Sequence, residues 1–137
     1  MSHAMRRVSP VDVLEAVQTR VEAGTGVTCV TDPDDQESPF YSLDFASSRP
    51  GRSKSMRLDV FDVWVHCISR PSTSSQDVLG MVASLEEAME QDVKLADPFS
   101  VVRQDDMGVQ VVKQDETKEW HAVVSYELTV SYGLIIK

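Results

Sequence analysis

The sequence predicts an α+β fold: one mixed, mainly antiparallel β-sheet with two helices packed on one of its faces. Three observations carry this. The apolar periodicity runs helix, three strands, helix, three strands, without the regular alternation of strand and helix that builds a parallel sheet. Of the 137 residues, 21 are valine, a β-branched type that favours strands. Both helical stretches open on a capping signal and stop before a glycine or a proline. The length matches one domain, residues 5–137, which buries roughly two-thirds of its extended-chain surface and folds without disulfides or metal. Residues 1–4, Met-Ser-His-Ala before Met5, read as a vector scar.

The first helix is announced by Ser9-Pro10-Val11-Asp12: Ser9 caps, Pro10 suits the first helical position, and Asp12 completes a capping box. Val11, Leu14, Val17 and Val21 form its expected apolar stripe, ending near Gly24. Val27 to Val30 is a short strand, and Thr31 to Pro39 an acidic turn. Phe40 to Phe45 alternates as a second strand, and Ala46 to Ser55 is the most loop-like stretch of the chain. From Met56 to Ser69 a long strand sets Phe61, Val63, Val65 and Cys67 on one face and Trp64, His66 and Ile68 on the other. That pattern reads as a central strand covered on both sides, at least in its second half.

Ser74, with Asp77 three residues on, opens the second helix, whose stripe is Val78, Met81, Val82, Leu85, Ala88 and Met89. Pro98 bars its continuation. Phe99 to Arg103 and Val109 to Lys113 form either a hairpin around residues 104–108 or one strand interrupted by a bulge. The last strand buries Trp120, Ala122, Val124, Tyr126, Leu128 and Val130, leaving His121, Ser125, Glu127 and Thr129 wet.

Catalytic chemistry finds little footing. His66 and Cys67 are neighbours on a strand and point to opposite faces, so they form no dyad. His121 shares a face with Ser125 and Glu127, but that spacing makes a stripe about 20 Å long, not a triad. Asp32, Asp34, Asp35 and Glu37 lack the glycine and distal glutamate of a calcium loop. Gly24-Thr25-Gly26 closes a helix instead of opening one and so cradles no phosphate. Cys29 and Cys67 fit no zinc spacing and read as buried, reduced thiols. The expectation is therefore no enzyme, no cofactor and no metal. No window approaches the roughly 18 apolar residues of a membrane span.

Charge is unevenly spread. The net charge of −9 argues against sequence-specific nucleic-acid binding. Arg49, Arg52, Lys54 and Arg57 place four cations within nine residues, whereas residues 71–137 hold 5 basic and 12 acidic residues, a net of −7. A basic loop on a chain whose other half is acidic suits head-to-tail self-association that closes into a ring. A competing reading is a small-ligand or peptide-binding module with Trp64, Trp120 and Tyr126 lining a pocket.

The element order, with the long strand Leu58-Asp59-Val60-Phe61-Asp62-Val63-Trp64-Val65-His66-Cys67-Ile68-Ser69 and the helix opening Ser74-Ser75-Gln76-Asp77, resembles the tail terminator and tail-completion proteins of long-tailed bacteriophages and prophages. It also resembles neighbouring minor capsid and head–tail connector families. The likeness runs from about Ser9 to Val130. It implies an α+β virion protein, made in the bacterial cytoplasm, that assembles as a ring, commonly a hexamer, at the top of the tail tube. Such rings stop tube growth and dock the head, so the implied partners are further copies of the chain, the tail-tube protein and head–tail connector proteins. The family's interfaces are sheet edges and the loops beside them. The matching position here is Arg49 to Arg57, and the resemblance carries no catalytic residue.

Overall fold

The computed structural model describes residues 8–134; the proposed vector scar lies outside them. Helix α1, Pro10–Thr25, begins where Ser9 Oγ accepts the Val11 amide at 3.1 Å. It ends where Gly26 takes a left-handed φ of 72° and its amide reaches the Glu22 carbonyl. Its buried positions are Val13, Val17 and Val21, with Leu14 partly buried, whereas Val11 is 60% exposed. The stripe expected from Val11 is thus rotated onto Val13, because the helix end is pinned against its partner helix and that contact fixes the face.

Five strands form one sheet: β1 (Cys29–Val30), β2 (Phe40–Pro50), β3 (Met56–Ile68), β4 (Ser100–Gln114) and β5 (Trp120–Leu134). The order across the sheet is β1-β2-β3-β5-β4, with β1 parallel to β2 and every other pairing antiparallel. Helix α2, Gln76–Ala88, follows β3. The expected capping box does not form: Ser75 is the cap residue without a side-chain bond, while Ser74 Oγ accepts the Gln76 amide.

The core fills the space between the helices and one sheet face. Val17 and Val21 of α1 and Val82 and Leu85 of α2 meet Leu43, Val63, Val65, Val124 and Leu128, all buried. A fully buried side chain of this size contributes about 1.5–3 kcal/mol through removal from water. Tyr41 ties the layers together, its hydroxyl donating to the Met81 carbonyl of α2 at 2.7 Å.

Two expectations change and one open alternative is decided. Strand β3 is not covered on both sides: on the face away from the helices Trp64 is 44% exposed and His66 half-buried. There only Val60 and the Ile68 end are sheltered, the latter beside Phe40 and Pro33 of the acidic turn. Half of the stretch Ala46–Ser55 is not loop, since β2 continues to Pro50 in register with β3 after a bulge at Ala46. Of the two alternatives for residues 100–114, the structure takes the second: one strand interrupted by bulges, with three register shifts against β5. Gly108, at φ 91°, sits in the middle shift, where a left-handed residue lets the strand resume pairing.

Candidate assembly interface

The four cations expected at an interface do not share one mobile loop. Arg49 stands on β2, and its guanidinium reaches across β3 to β5: it meets Glu127 Oε1 at 2.8 Å and Asp62 Oδ2 at 3.7 Å. Asp62 also accepts the Ser47 hydroxyl at 2.6 Å, so this polar patch fastens the upper half of β2 where no helix covers it. Arg57 lies at the start of β3 with its guanidinium 5.8 Å from the centre of the Tyr132 ring. Tyr132 in turn donates to the buried Asp59 carboxylate. Only Arg52 and Lys54 occupy the turn between β2 and β3, and both are exposed.

The sheet has one long open edge. Strand β4 spans 15 residues and pairs only with β5. Among the described residues, large exposed apolar side chains concentrate on it: Val102, Met107, Val109, Val111 and Val112 are 41–52% exposed. Solvated edges are ordinarily short, charged or interrupted by proline, because unpaired backbone beside apolar side chains recruits another strand. The β4 edge has bulges but no proline. The opposite edge is also incomplete, since the two residues of β1 pair only with Tyr41 and Ser42 of β2.

Between α2 and β4 lies a pocket of about 430 Å³ whose walls carry Glu86, Glu90, Asp92 and Asp106. Gln104 of β4 fixes its geometry by donating to the Met89 and Gln91 carbonyls and accepting the Val93 amide. Burial, then the Asp106 carboxylate, pushes Glu86 above the ordinary carboxylate value. Tyr126 lines the pocket from the sheet; its buried hydroxyl has no hydrogen bond of normal geometry. Burial, reinforced by Asp106 and Glu86, raises the phenol well above its usual value.

The residues weighed for chemistry are dispersed. Cys29 and Cys67 are free and buried, and desolvation pushes each thiol up to about 12. His66 pairs with Asp44 on the open face at 2.6 Å, its ring directed away from the Cys67 side of the sheet. His121 pairs with Asp115 at 3.0 Å in the turn between β4 and β5, not with Ser125 or Glu127. With Glu119 these two bring three ligating atoms within 4.8 Å of one another. That group was not legible as a unit, because the turn folds Asp115 back onto β5. Asp115 Oδ1 accepts both the amide and the hydroxyl of Thr117, and these bonds hold its carboxyl below the ordinary value. The acidic turn is a turn, closed by Asp32 accepting the Asp34 amide. Trp64 lies on the open face, while Tyr126 and Trp120 belong to the helix-covered side, so the three aromatics line no common pocket.

This fold, a two-helix layer on a five-stranded sheet, can be set beside known proteins. Residues 4–137 match the model of a family described as "Putative tail termination protein", a phage tail terminator family. The chain belongs to this family. The resemblance drawn from the element order is therefore borne out over nearly the whole length. Among solved structures, a chain of the "Virion of native gene transfer agent (GTA) particle" superposes with a TM-score of 0.72 at 13% identity, covering 95% of this chain and 99% of that one. At that identity the likeness is one of fold. No curated protein matches the sequence. The tail terminator is thus a structural protein of the phage tail, built on the α+β fold that its sequence predicts.

Proposed function

We propose that this tail terminator closes into a ring at the head-proximal end of the tail tube, where it stops tube growth and presents the surface that docks the head. One observation carries the ring: the 15-residue β4 edge, with exposed valines and Met107 along an unpaired backbone, is unfinished in a single subunit. A head-to-tail contact that covers this edge with the opposite side of the next subunit leaves no open edge once the rotation closes. Arg49, Arg52, Lys54 and Arg57 form the positive half of that contact. Arg49 and Arg57 brace the β2–β3 hairpin, while Arg52 and Lys54 project from its tip.

The partners in this reading are further copies of the chain, the tail-tube protein below and connector proteins above. The protein works by shape and charge without catalysis: its thiols are buried and protonated, and its two described histidines are held by carboxylates. A net charge of −9 lets DNA pass without being held.

Light scattering across a concentration series, alone and with tail-tube protein, tests this reading. A closed oligomer that weakens with salt is expected, since the contact pairs opposite charges. A monomer under both conditions overturns it.

A further inference from the structure

We infer that the acidic pocket between α2 and β4 receives the Arg52 guanidinium of a second copy of this chain. The inference rests on the ring reading and names one contact within it. Glu86, Glu90, Asp92 and Asp106 present acceptors around a space of about 430 Å³, ample for a long side chain and its charged head. The cation that also lines the pocket, Arg103, is committed to Asp105 at 2.8 Å. On the sheet side the Tyr126 hydroxyl is buried with no partner of normal geometry. A buried hydroxyl without a well-formed hydrogen bond is costly, and an entering N–H donor gives its lone pair a partner. The pocket therefore lacks a multi-donor cation. A planar guanidinium fits better than an ammonium, because its fork meets two carboxylates and a third acceptor at once.

The occupant follows from charge and position. Of the four clustered cations, Arg49 is engaged by Glu127 and Asp62, and Arg57 by the Tyr132 ring, which leaves the exposed hairpin tip with Arg52 and Lys54. Within one subunit Arg52 borders the concavity of the open sheet face, beside Thr129 and Glu127. The acidic pocket belongs to the helix-covered side, where Tyr126 points. Asp106 borders both hollows, but Arg52 does not line the pocket of its own subunit that Glu86, Glu90 and Asp92 wall. The pocket opens at β4, the edge that the neighbouring subunit covers, so the hairpin tip of that neighbour is the cation within reach.

The test is a charge exchange read by light scattering at low salt, with melting curves to show that each variant folds. One variant carries Glu86→Lys with Asp106→Lys, a second carries Arg52→Glu, and a third combines all three changes. A milder pocket variant, Glu86→Gln with Asp106→Asn, covers the case in which the lysines disturb folding. The pocket reversal and Arg52→Glu should each weaken association by about tenfold or more, and the combined variant should recover most of that loss. Three outcomes overturn the contact while the ring stands: all variants associate as the parent does, the pocket reversal alone matters, or the combined variant is no better than its parts. A parent chain that remains monomeric at every concentration, alone and with tail-tube protein, overturns the ring and this contact together.

Discussion

Gly24 near the end of α1 lies against Ala88 at the end of α2 so closely that a Cβ added to Gly24 would stand 2.4 Å from the Ala88 Cβ and 2.8 Å from its Cα. Both atoms of Ala88 belong to a buried, backbone-anchored position, so neither helix can yield by turning a side chain. Alanine is intrinsically better than glycine in a helix by about 1 kcal/mol, but overpacking of this kind costs about 1–3 kcal/mol. Gly24→Ala should therefore lower stability, as urea denaturation would measure. Gly80, in α2 with nothing within 4 Å of an added Cβ, is the control. Gly80→Ala should raise stability by about 0.5–1 kcal/mol.

Arg49 and Arg52 are three residues apart and should separate stability from assembly. Arg49 bridges Asp62 and Glu127, so Arg49→Ala leaves two carboxylates facing each other across β3 and β5. The pair is partly exposed, so a loss of up to about 1 kcal/mol is expected in thermal or urea melts. Arg52→Ala should leave the melting curve unchanged. Equal losses for both variants would show that the hairpin tip is part of the folded unit in the same sense as the strand.

The helices and the central strands were legible because one face of each is buried: the 3.6-residue spacing of Val78, Val82 and Leu85 and the alternation of Phe61, Val63, Val65 and Cys67 are imprints of that burial. The upper half of β2 carried no such imprint. Its Ser47, Ser48 and Arg49 pair with Asp62, Phe61 and Val60 through backbone bonds and a polar patch beyond the helices, which leaves no apolar pattern. Strand β4 was ambiguous for a related reason, since its bulges break the alternation that would have marked one strand. Val11 misled because a valine on the first turn of a helix reads as core until packing sets the phase. Of the proposed interface, the cluster of positive residues was visible, but not their division into braced and projecting members. The acidic pocket was invisible, because Glu86, Asp106 and Tyr126 come from three separate elements.

Burial of the thiols ties stability to alkaline pH. Cys29 and Cys67 ionise in the unfolded chain near their ordinary value of 9.0 and in the folded chain only at about 12. The folded state thus holds protons that the unfolded state releases, and stability falls as pH rises from about 9 to 12. Below pH 9 both states are protonated and these groups contribute no slope. Denaturant midpoints measured through this window should fall steadily, and Cys67→Ala, compared with its own neutral-pH value, should reduce the slope. The same burial makes both thiols unreactive toward a disulfide reagent at pH 8 until the chain is unfolded.

Strand β4 offers the clearest separation of folding from assembly. Val111 is 43% exposed on the outermost strand, so its side chain adds little to the core. Val111→Lys should change stability by no more than about 0.5 kcal/mol, the usual range for a surface position. In the assembled ring the same lysine would stand at a covered edge, where charged residues are the natural device against strand pairing. Self-association, or binding to the tail tube, should then be lost while circular dichroism and the melting curve stay those of the parent. A Val111→Lys protein that assembles normally would show that the subunit contact avoids this part of β4. A protein that fails to fold would mean that the outer face of the strand is packed within the subunit itself.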